Sequence, residues 1–94
     1  MVLIVKRHKS FLKDLRKVKI SDKHFSKYIV YIARLIEEQT LPDEALNHAL
    51  KGKYEGYNEF HISGDLLVVY KIKNDELWLV RMGSHSELFS NKSN

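Results

Sequence analysis

Glu59, His61 and Asp65 fall within seven residues of one another, and Arg81, His85 and Phe89 follow the start of the last apolar run. With His48 they assemble carboxylates, imidazoles and a guanidinium. These are the groups with which a protein moves protons near neutral pH and grips anionic oxygen. Cleavage of RNA needs nothing more. The strand carries its own nucleophile, the 2′-hydroxyl. A base that takes its proton, a cation on the phosphoryl oxygens and an acid for the departing 5′-oxygen complete the reaction. A zinc site built from His48, His61, His85 and Asp65 has no compact ligand spacing behind it, so no metal and no cofactor are expected. The same residues also fit a duller pattern: Glu59 and Arg81 suit a cross-strand ion pair, and His8 and His24, set among cations, read as surface residues.

Such groups act together only if the fold brings them to one place. "YNEFHIS", "LLVVYKIK" and "ELWLVRM" are β-rich runs separated by Ser-Gly-Asp and Asn-Asp turn formers, which predicts an antiparallel meander. Alternation puts Asn58, Phe60 and Ile62 on one face and Tyr57, Glu59 and His61 on the other. In the last strand it groups Trp78, Val80 and Met82 against Leu79 and Arg81. With Phe60, Ile62, Trp78 and Val80 turned toward the helices, Glu59, His61 and Arg81 share the open face, with Asp65 at the turn and His85 beyond Gly83.

Two helices are expected ahead of the meander. Ser10 is the predicted cap of the first, whose apolar positions are Phe11, Leu12, Leu15 and Val18. Ser21 or Asp22 caps the second, which carries Phe25, Tyr28, Ile29, Ile32, Leu35 and Ile36 as one stripe and ends just before Pro42. "VLIV" reads as an opening strand, and "DEALNHALKGKYEGY" as a long loop with a helical turn. The fold class predicted is α+β: a small antiparallel sheet with two N-terminal helices on one face.

Composition narrows the function classes. A chain of 94 residues forms one domain, expected over 1–89 with a polar tail at 90–94. There are no cysteines, which excludes disulfides and thiolate chemistry. The opening is apolar then basic, the reverse of a secretory signal, and its apolar run is too short to span a bilayer, so a cytoplasmic protein without membrane contact is expected. Ten cations stand against Asp14 and Asp22 between Met1 and Arg34, while acids outnumber bases ten to six from Leu35 onward. That asymmetry predicts a basic face for a polyanion or an acidic protein partner.

"NHALKGK", "GYNEFHISGDLLVVY" and "RMGSHSELF" resemble, in order and spacing, the YafQ-like branch of the RelE/ParE superfamily, the toxins of bacterial type II toxin–antitoxin pairs. The resemblance runs from "SFLKDL" through Phe89. It implies a ribosome-dependent mRNA endonuclease, with mRNA, the ribosome and a cognate antitoxin as partners. It implies catalytic roles for His48, Glu59, His61, Asp65, Arg81 and His85. His85 is assigned as general acid and Arg81 as transition-state clamp. Glu59, His61 and Asp65 share the base and orienting roles, and His48 supports the substrate or a proton relay. Lys51, Lys53, Asn58 and Phe89 are assigned to substrate binding. Asn58 stands where relatives carry a cation, Leu66 where some carry tryptophan, and Gly64 where proline is usual. The alternatives in the same fold are a ParE-like gyrase poison without nuclease activity and a non-catalytic nucleic-acid-binding module.

Overall fold

The computed structural model describes residues 2–89, and the tail predicted at 90–94 lies outside them. A strand β1 (Ile4–Arg7) leads into helices α1 (Lys9–Lys17) and α2 (Asp22–Ile36). A two-residue strand β2 (His48–Ala49) precedes the meander β3 (Asn58–Ser63), β4 (Leu66–Lys73) and β5 (Glu76–Gly83), and a short helix α3 (His85–Phe89) follows. The sheet order is β1-β5-β4-β3-β2.

The meander is antiparallel as its short turns require. Asn74 and Asp75 both adopt positive φ (52° and 65°), the two-residue hairpin geometry that matches strand twist. The sheet as a whole is mixed, because β1 joins β5 in parallel across the α1–α2 connection. The segment read as one loop contributes β2, paired with β3, and two 3-10 turns (Asp43–Ala45 and Gly52–Tyr54).

Helix boundaries correct two expectations. His8, not Ser10, caps α1, accepting the Ser10 backbone N–H on Nδ1, while the Ser10 hydroxyl donates to the Val80 carbonyl at 2.6 Å and ties α1 to β5. Ser21 caps α2 as predicted. That helix ends at Ile36, well before Pro42. Glu38 turns left-handed (φ 58°), and Gln39 N–H reaches the Arg34 carbonyl, closing the helix with a Schellman-type bond.

Two apolar clusters sandwich the sheet. Phe11, Tyr31, Ile32 and Leu35 of the helices pack on Phe60, Ile62, Val68, Tyr70, Leu77, Leu79 and Met82. Phe25 and Ile29, placed in the apolar stripe by spacing, are half-exposed, and Tyr31 takes the buried position. The opposite face is not open. Leu67, Val69 and Leu88 form a smaller core with Leu50, Tyr54, Tyr57, Val80 and Phe89 packed against it.

The face assignment of β5 is therefore reversed over part of its length. Leu77 and Leu79 face the helices, while Trp78 and Val80 do not. The cause is a bulge: Val69 pairs with Arg81 and Tyr70 with Leu79, leaving Val80 as the extra residue. One inserted residue shifts the alternation by one position, so Met82 points back to the helical core.

Candidate active site

Strand register arranges the predicted residues in rows on the face away from α1 and α2. His48 pairs with Glu59, Glu59 with Val69 and Val69 with Arg81, giving one row across four strands. His61 pairs with Leu67 and Leu67 with Gly83, giving the row beside it. Glu59, His61 and Arg81 thus share a face as expected, and the pairing of β2 with β3 adds His48 to it, although the partners are not those expected.

Glu59 is the hub of the first group. Its side chain is only 4% exposed, and its Oε2 lies 3.0 Å from His61 Nε2 and 3.1 Å from His48 Nε2. A carboxylate accepts only, so both imidazoles present N–H to it. For His61 this leaves Nδ1 as the acceptor nitrogen, and Nδ1 has no hydrogen-bond partner among the described residues. His48 is held from behind as well, since its Nδ1 lies 2.7 Å from the Leu46 carbonyl. Leu46 adopts a left-handed backbone (φ 49°), a conformation that aims this carbonyl at the ring and that β-carbon sterics disfavour. The second carboxylate oxygen, Glu59 Oε1, is buried without a hydrogen bond among the described residues.

Arg81 pairs with Asp14, not Glu59. Its Nε donates to Asp14 Oδ2 at 2.7 Å and its Nη2 to Oδ1 at 3.1 Å, a two-pronged clamp between α1 and β5. Asp14 Oδ2 also accepts the Met82 backbone N–H. Hydrogen bonding to Asp14 raises the Arg81 pKa further above its usual value, so the guanidinium is a permanent cation, with Nη1 outside the Asp14 clamp. In the sequence Asp14 is one of two acids among ten cations. Its signal was position: Phe11, Asp14 and Val18 recur on the buried side of α1. Asp14→Ala is expected to cost about 2 kcal/mol in urea unfolding, below the range for fully buried pairs because Arg81 can turn toward water.

Asp65 lies at the exposed β3–β4 turn and lines a polar cleft of roughly 610 Å³ with Asp14, Ser63, Arg81 and Glu87. His48, Glu59 and His61 are not in that cleft. Arg81 is the element the two groups share, through its row with Glu59.

His85 is exposed at the start of α3. Ser84 Oγ accepts the Glu87 N–H at 3.2 Å, and Glu87 Oε1 accepts the Ser84 N–H at 2.9 Å. This reciprocal capping box, legible in "SHSE", fixes His85 at the first helical position. The Ser84 N–H and hydroxyl hold the Glu87 carboxyl below the usual range. Gly83 is required less for turning than for clearance, because a β-carbon there would lie 3.0 Å from Glu87 Oε1. Phe89 packs 4.7 Å from the His85 ring and edge-on to Tyr54 at 5.4 Å.

Residues 3–90 match the family model for the bacterial YafQ toxin of type II toxin–antitoxin systems. The chain belongs to the YafQ toxin family. The mRNA interferase toxin YafQ of Escherichia coli K12 is 33% identical over 89 residues, covering 93% of this chain and 80% of its own length. A YafQ-named protein of Haemophilus influenzae is 39% identical over 66 residues, a match that spans 66% of this chain and 65% of that protein. A metal-bound toxin from Helicobacter pylori superposes with a TM-score of 0.81 at 38% identity, covering 93% of this chain and 99% of that one. The Escherichia coli DinJ–YafQ toxin–antitoxin complex matches with a TM-score of 0.81 at 25% identity, covering 96% of this chain and 100% of the matched one.

Against that YafQ framework, the positions assigned to substrate binding divide. Lys51 and Lys53 are exposed, with Lys53 Nζ 5.5 Å from the Tyr54 ring centroid. Asn58 is half-buried between Ala49 and Tyr70, and Phe89 is half-buried in the smaller core. Among the described residues, no group of three or more His, Asp or Glu side chains is arranged to hold a metal ion. No helix among them is long and apolar enough to cross a membrane.

Proposed function

We propose that this chain is the toxin of a type II toxin–antitoxin pair and that it cleaves mRNA on the translating ribosome, using the RNA 2′-hydroxyl as nucleophile. The observation that carries the reading is Glu59: a buried carboxylate that orients two imidazoles in a row ending at a fixed guanidinium. By holding His61 Nε2–H, Glu59 leaves Nδ1 to take the proton from the 2′-hydroxyl, as a buried carboxylate orients histidine in other acyl- and phosphoryl-transfer sites. Arg81, anchored to Asp14 through Nε and Nη2, presents the rest of its guanidinium, beside Tyr54, to the phosphoryl oxygens as charge builds. His85 protonates the departing 5′-oxygen. His48, bound to the same carboxylate and exposed on its other side, relays the acquired proton from the Glu59–His61 pair to solvent and so regenerates the base. Asp65 shapes the turn beside Arg81 and is not the base. The antitoxin is the cognate partner, a reading supported by the Escherichia coli relative crystallised with DinJ.

The test is expression followed by end-mapping of transcripts on translating ribosomes, with an excess of a transition-metal-selective chelator, magnesium retained for the ribosome, in one arm. Growth arrest and discrete mRNA cuts that persist in chelator are expected, because imidazole, carboxylate and guanidinium supply proton transfer and charge stabilisation. Activity lost in chelator and restored by a single metal would move the reaction to a metal site. Arrest without cuts, accompanied by loss of DNA supercoiling, would replace the nuclease with a gyrase poison.

A further inference from the structure

Beside the row that carries Glu59 and Arg81, the register sets another of different chemistry. Lys6 on β1 pairs with Trp78 on β5, and Trp78 with Lys71 on β4. Asn58 pairs with Tyr70, so Tyr57, one residue earlier, extends this row past Lys71. Lys71 Nζ lies 5.0 Å from the Tyr57 ring centroid. The order across the sheet is cation, aromatic, cation, aromatic. Trp78, Lys71 and Tyr57 of this row, with His8, Lys73 and Val80, border a groove of roughly 360 Å³, and Lys6 flanks it beside Glu76.

Tyr57, just before β3, is two positions from Glu59, and Lys71 is two positions from Val69 on β4, which places this row about 7 Å from the catalytic one. Glu76 is the one carboxylate among the described lining residues, and it is engaged: it accepts Trp78 Nε1–H at 2.9 Å and lies 3.9 Å from Lys6 Nζ. That bond fixes the indole by its edge; Trp78 and Tyr57 are each half-buried, Tyr57 against the smaller core with Lys71 Nζ over its ring. Fixed aromatic faces between cations suit a flexible polyanion whose charges alternate with flat rings. Single-stranded RNA has that form: bases stack on aromatic side chains while ammonium groups meet the phosphates. An acidic peptide would pair with the lysines and leave the ring faces unused.

We propose that this groove is a subsite for single-stranded RNA, holding nucleotides next to the scissile phosphate with bases on Trp78 and Tyr57 and phosphates along Lys6, Lys71 and Lys73. The inference rests on the endoribonuclease reading of the neighbouring row and adds the path of the strand. It assigns Lys6, Lys71 and Lys73 a role in substrate grip that is separate from proton transfer.

Trp78 is the single tryptophan of the chain, so its emission reports on this groove alone. The full chain is titrated with a fully 2′-O-methylated single strand of about ten nucleotides, long enough for one such site and unable to be cut. Saturable quenching that weakens with salt is expected, together with roughly tenfold weaker anisotropy-measured binding for Lys71→Gln and for Trp78→Leu, and near-normal binding for Trp78→Phe. Should Trp78→Leu fail to fold, the surface change Lys71→Gln decides alone. Unquenched emission, or unchanged binding by Lys71→Gln, overturns the subsite. Quenching by polyglutamate as strong as that by RNA also overturns it and marks the groove as a protein partner's. Because the probe cannot be cleaved, quenching without ribosomal mRNA cuts rejects the nuclease reading, and cuts without quenching reject the subsite.

Discussion

A substrate with one 2′-deoxy sugar immediately 5′ of the scissile phosphate is expected to bind normally and to remain uncut at that position. Removing one hydroxyl changes no charge, so the phosphate contacts that dominate affinity are preserved. The same atom is the nucleophile in the proposed reaction, and His61 Nδ1 has no other proton to take. The unmodified strand should yield a 2′,3′-cyclic phosphate or the 3′-phosphate that descends from it. Quantifying ends from both strands on translating ribosomes checks this. Undiminished cutting of the deoxy strand would mean that water attacks, and the roles given to His61 and Glu59 would fall.

His85→Ala is expected to reduce cleavage by roughly a hundredfold or more, the usual cost of losing a positioned acid. The fold should hardly respond. His85 is exposed, and the capping box that starts α3 is made by Ser84 and Glu87 without it, so the change should cost less than about 1 kcal/mol. Single-turnover cleavage and urea unfolding on the same preparation separate the two effects. A folded His85→Ala protein with full activity removes this residue from the mechanism. A variant that loses activity and stability together would instead indicate that the ring packed 4.7 Å from Phe89 is structural.

Much of this molecule was legible in its sequence because the relevant physics is local. Period-2 alternation bounded by turn formers identified β3, β4 and β5, and the Ser21 cap placed the start of α2. Glu59 and His61 were placed on one face because two residues apart on a strand always share one, and their 3.0 Å contact follows from that spacing. What local pattern could not supply was phase and partner. The bulge at Val80 is one extra residue opposite a distant strand, invisible to the alternation of β5 alone, and it turns Trp78 away from the helices and Leu79 toward them. The parallel seating of β1, the pairing of β2 with Glu59 and the smaller core beneath α3 likewise depend on which chain segments meet. Asp14 shows the difference most directly. In the sequence it is one acid in a basic helix, 67 residues from Arg81; in the fold it is the buried carboxylate that holds that arginine in place. Sequence determined which chemistry was available and which strands would carry it. Only tertiary packing decided which acid binds which base, because a side chain's charge partner is set by the closest approach of distant segments and not by their order along the chain.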